Sequence, residues 1–63
     1  MSKIINNGEF IDAILIKETQ EAFLLDCEGD EIWFPKSQVN FDEKLNQLEA
    51  PLWLLRDKFP GEY

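Results

Sequence analysis

Hydrophobic positions in the first half of the chain fall in short strand-like runs, whereas the second half supports no single period. From Phe10 to Lys17 all but Asp12 and Lys17 are apolar and several are β-branched, which predicts one strand too apolar for a half-exposed position and therefore central. Asn7-Gly8 ahead of it is a turn signal. A polar connection, 18–21, leads to a second strand over Ala22–Glu28. There Phe23, Leu25 and Cys27 share one face, and Leu24, Asp26 and Glu28 share the other. Gly29-Asp30 suits a tight hairpin loop. Glu31–Pro35 returns as the third strand, ended by a proline that cannot donate to a ladder.

Beyond Pro35 the pattern supports two readings. Lys36–Val39 is a short or single helical turn. In 41–50, Phe41, Leu45 and Leu48 fall on one helical face behind an Asn40-x-x-Glu43 capping box. The other reading makes Asp42-Glu-Lys a turn and 45–50 a fourth strand. Pro51 suits the first turn of a closing helix over Leu52–Phe59, with Leu52, Leu55 and Phe59 on one stripe and Pro60-Gly61 stopping it. The expected architecture is α+β and mainly β: a small four-stranded antiparallel barrel-like sheet with a short C-terminal helix. Residues 1–63 form a single domain, with 1–8 as a loosely ordered N-terminus.

Composition sharpens this in three ways. Hydrophobic residues at 44% and aromatics at 13% argue against disorder. A chain of this size buries only about 60% of its unfolded surface, so large rings matter to its core. Cys27 is the single cysteine, which excludes an internal disulfide framework and fits a reducing, cytoplasmic setting. There is no apolar run long enough for a signal peptide or a membrane span.

Charge and side-chain inventory then narrow the function. Thirteen acids against six bases give −7, which disfavours binding to duplex nucleic acid. With no histidine, neither a Ser-His nor a Cys-His pair can form. One cysteine with scattered acids is a poor supply of metal ligands, and the three glycines build no phosphate loop. Asp26–Glu31 places its glycine fourth, where a calcium loop needs it sixth. No catalysis, metal or cofactor is expected, and Cys27 reads as a buried small hydrophobe.

What remains is recognition. Glu18, Glu21, Asp26, Glu28, Asp30 and Glu31 occur with no base among them, and in a meander they collect at the first loop and the hairpin tip. Such clusters keep a small domain soluble, or meet a basic or nucleic-acid-binding protein by mimicking phosphates. Trp33 and Phe34 point to opposite sides of a strand, so at most one fills a given core unless a small barrel buries both. The candidate binding residues are Asp26, Glu28, Asp30, Glu31, Trp33, Phe34, Lys36 and Trp53.

Trp33-Phe-Pro-Lys-Ser-Gln38 followed by Pro51-Leu-Trp-Leu54 resembles a signature of small, mostly uncharacterised phage and bacterial proteins. The similarity spans Ala13 to Gly61. It implies a strand before Pro51, a barrel-like sheet capped by a helix, and an accessory role in a phage or mobile element. The closing helix of those proteins carries more lysine than 54–59 does here, so any basic surface is weaker. The leading expectation is a non-catalytic protein-binding module, inhibitory toward a host factor. The alternative is a single-stranded nucleic-acid module of a replication apparatus, using aromatic stacking with Lys36, Arg56 and Lys58. A self-associating homo-oligomer is the third reading.

Overall fold

The structure, a computed structural model, describes residues 8–63. Of the segment read as a loose N-terminus only Gly8 is included. The Asn7-Gly8 turn signal and residues 1–7 lie outside the described residues.

The apolar run that predicts one central strand forms two. β1 (Gly8–Asp12) and β2 (Ile14–Glu18) are separated by Ala13 alone, where the strand leaves one sheet and enters another. Ala13 is buried, and its N–H donates to the Asn46 carbonyl at 2.9 Å. A small side chain fits where two sheets converge. Neither half is central: each is an edge strand.

β3 (Ala22–Cys27) and β4 (Asp30–Pro35) follow as the expected meander, giving the antiparallel order β2-β3-β4. Thr19 Oγ1 closes the first turn by accepting from the Ala22 N–H at 3.1 Å. The second turn sits one residue earlier than Gly29-Asp30 suggests. Glu28 and Gly29 are its central residues, at φ 55° and 96°. Positive φ at both positions matches the strand twist, and Gly29 meets the requirement without a Cβ. Asp26 Oδ1 secures the loop, accepting from the Gly29 N–H at 2.8 Å.

A 3-10 turn over Lys36–Gln38 leads into β5 (Asn40–Asp42), then β6 (Gln47–Pro51) and the helix α1 (Leu52–Lys58). The helical period in 41–50 is coincidental. Asp42 Oδ1 accepts from the N–H groups of Lys44 at 3.0 Å and Leu45 at 3.2 Å, turning the chain back on itself. Leu45 is left 67% exposed at that turn. β6 is central to the second sheet, order β1-β6-β5, with Phe10 opposite Glu49 and Ile11 opposite Leu48.

The fold is thus mainly β with one short C-terminal helix, as expected, but among the described residues it has six strands in two three-stranded antiparallel sheets. A four-stranded, barrel-like sheet is not what forms. Leu25, Cys27 and Phe34 from one sheet meet Leu48 and Ala50 from the other, and α1 adds Leu54 and Leu55. Phe23 and Phe41 also join the sheets, their rings tilted with centroids 5.5 Å apart. Burying a ring such as Phe34 contributes roughly 1.5–3 kcal/mol, a large share for so small a core. No described helix is long and apolar enough to cross a membrane.

Candidate functional site

Side chains of a strand alternate between faces, so a core on one face of the β2-β3-β4 sheet leaves the other to solvent. Leu25, Phe34 and Cys27 take the inner face. Strand register then sets the outer face in rows. Ile14 stands opposite Asp26, which stands opposite Glu31. Lys17 stands opposite Leu24, which stands opposite Trp33. A register shift between Leu15 and Lys17 makes Ile16 an extra residue in the strand. The result is an apolar group in water: Ile14 is 57% exposed, Ile16 46% and Trp33 43%, with Leu24 half-buried among them.

Carboxylates border this group on one side. Asp26 and Glu31 complete the row that Ile14 begins, and Glu28 and Asp30 continue to the hairpin tip. Glu28, Asp30 and Glu31 are exposed, whereas Asp26 is half-buried and spends one oxygen on the Gly29 N–H.

The other predicted residues lie elsewhere. Phe34 is fully buried and belongs to the core, so it is no contact residue. A small barrel burying both rings is likewise not found, because Trp33 faces out. Lys36 is committed within the molecule: its Nζ pairs with Glu18 Oε2 and lies 5.0 Å from the Phe23 ring centroid. That leaves it poorly placed to hold a phosphate. Trp53 is exposed on α1, an element outside the β2-β3-β4 sheet. No family model, curated protein or solved structure matches the chain. The site is therefore read from its own chemistry.

Ile14, Ile16 and Leu24 are absent from the sequence-derived set. The signal for the two isoleucines was present as a surplus of apolar residues in 10–17, but it pointed to burial on both faces, whereas Leu24 was already set on the polar face with Asp26 and Glu28. The bulge and the split at Ala13 are what turn that surplus outward.

A concavity of about 200 Å³ lies between β1, the hairpin tip and the C-terminal residues. Its walls include Ile11, Cys27, Asp30, Phe59 and Tyr63. Burial, reinforced by Asp26, Asp30 and Glu28, pushes the Cys27 thiol up to about 11. A thiol that holds its proton is a poor nucleophile, in keeping with the core role assigned to it. The Tyr63 phenol is also raised, first by burial and then by Glu9 and Glu62. Among the described residues no three Cys, Asp or Glu side chains gather closely enough to hold a metal ion.

Proposed function

We propose that this protein is a non-catalytic binding module that takes a basic protein on the outer face of its β2-β3-β4 sheet. The observation that carries this reading is the solvent-facing group of Ile14, Ile16, Leu24 and Trp33 beside the carboxylates of Asp26 and Glu31. An exposed tryptophan among aliphatic side chains is the composition of an interface anchor. The carboxylates add selectivity and association rate, favouring partners that carry Lys or Arg around an apolar contact. Like-charge repulsion disfavours a second copy of the same acidic face.

The shared Trp33–Gln38 and Pro51–Leu54 motifs suggest the setting, an accessory protein of a phage or mobile element that restrains a host factor by occupying its basic surface. Replication is one process in which such basic surfaces are common.

The test is capture from bacterial lysate, with and without nuclease, using the wild type, Trp33→Ala and Glu31→Lys, read by mass spectrometry. A basic protein retained by the wild type and lost by both variants is expected. Losing Trp33 should weaken binding by roughly 30-fold, the equivalent of about 2 kcal/mol. Retention by both variants would remove this face from consideration. Recovery of nuclease-sensitive material alone would favour the nucleic-acid reading instead.

A further inference from the structure

We propose that the partner binds by adding an extended strand to the free edge of β4, pairing its backbone with Glu31 and Trp33. This rests on the protein-binding reading and specifies its mode.

The argument comes from hydrogen-bond parity. Across a two-residue hairpin loop the flanking residues form a hydrogen-bonded pair, here Cys27 with Asp30. Alternation makes Leu25–Ile32 and Phe23–Phe34 the next such pairs. The Lys36 N–H bonded to the Glu21 carbonyl at 2.8 Å continues the same series. Glu31 and Trp33 fall between these pairs, so their N–H and C=O groups point away from β3. β4 is the last strand of its sheet, and no backbone group among the described residues takes them up.

The other edges are guarded. β2 carries a bulge and the exposed Lys17, two common defences against edge pairing. β5 is only three residues long. Phe59, Glu62 and Tyr63 stand across the 200 Å³ concavity from β1. β4 has six residues in unbroken register with β3 and a side-chain series that continues the candidate face; its outward positions end at Pro35, which has no N–H to give, so the added strand pairs with Glu31 and Trp33 alone.

Charge and pleat together specify the occupant. On a strand laid beside β4, alternate side chains join the outer face. One beside Glu31 meets carboxylates and is best a Lys or Arg. One beside Trp33 meets a ring and is best Val or Ile. The occupant is therefore an extended segment of a basic protein, with basic and β-branched residues two apart.

The test uses two synthetic nine-residue probes of equal composition, one with Lys and Val taking turns at every second position and Thr between them, the other spacing the same residues for an amphipathic helix. Amide exchange and chemical shifts are followed in the isotopically labelled protein. The alternating peptide should slow exchange of the Glu31 and Trp33 amides by at least about tenfold. Glu31→Pro deletes an outward N–H without touching the β3 ladder, whereas Glu31→Gln deletes only the charge. Binding should fall at least about tenfold further in the proline variant than in the glutamine variant. A thermal melt of each variant confirms that the fold persists.

Equal affinities of the two variants would overturn the edge mode, as would bound peptide with unchanged exchange at Glu31 and Trp33. A preference for the helical probe would place a helix on the face, overturning the edge mode and keeping the protein-binding reading. If neither probe perturbs Ile14, Leu24 or Trp33, both fall. An oligothymidylate perturbing those residues instead would also overturn both.

Discussion

Trp33 and Phe34 are adjacent in the chain and opposite in circumstance. Phe34 is sealed in the core, and its replacement by alanine should cost about 3–5 kcal/mol. Trp33→Ala should cost less than about 1 kcal/mol, because most of what it loses is contact with water-facing neighbours. Denaturant midpoints of the two variants check this contrast. That the pair would split between faces was legible from alternation. Which ring faced inward was not, since that depends on the register with β3. Cys27 is a simpler case, read as buried from its neighbours Phe23 and Leu25 and found so. Its thiol keeps its proton in the folded state to about 11 but releases it near 9.0 when unfolded. Stability from this group is therefore complete below pH 9 and is lost as pH rises toward 11. Tyr63 shifts in the same sense. Thermal melts across that range should show a steeper fall for the wild type than for Cys27→Ala.

Turns decide the elements. The β3–β4 hairpin was legible as a hairpin, yet its loop is Glu28-Gly29. Gly29 attracts the reading to the residue after it, while register puts the loop on the residue before. Glu28 therefore holds a left-handed conformation for which Asn or Gly is better suited. Glu28→Asn should raise stability by roughly 0.5–1 kcal/mol, and Gly29→Ala should lower it by about 1 kcal/mol. Nothing lies within 4 Å of a Cβ built at Gly29, so that loss is conformational. Chemical denaturation of both variants provides the comparison. In 41–50 the helical spacing of Phe41, Leu45 and Leu48 competed with a turn at Asp42-Glu-Lys and a strand after it, and the turn and strand are what form. Asp42 capturing two N–H groups is the local event that decides between them. The closing helix was legible within a residue, with Leu54 and Leu55 rather than Phe59 as its most buried positions.

At the scale of the molecule, two sheets share one continuous stretch of chain. A pattern of apolar residues cannot reveal that β1 and β2 serve different sheets, because both halves look alike and the partners of β1 lie far along the chain. The strand count suffered for the same reason, and β5 is too short to register as a strand. The acidic candidate surface was legible as charge, and its apolar half was not. A formal charge of −7 on so small a body also repels itself. Raising monovalent salt from about 10 mM to about 500 mM should therefore raise the melting temperature, with Glu31→Gln showing a smaller rise. A melting temperature insensitive to salt would mean that the carboxylates are too far apart to matter.

The pairing of Gly8 with Pro51 has a further meaning for how the molecule is made. On the ribosome the β2-β3-β4 meander is complete once Pro35 has emerged, but β1 has no partner until β6 follows it out. Until then the growing chain presents Leu25 and Phe34 with nothing to cover them, together with the open edges of a lone three-stranded sheet. Its exposure to aggregation and to chaperones is set by the time needed to synthesise the residues between the meander and β6. Slow codons in that interval would therefore burden the nascent protein more than the same codons placed earlier.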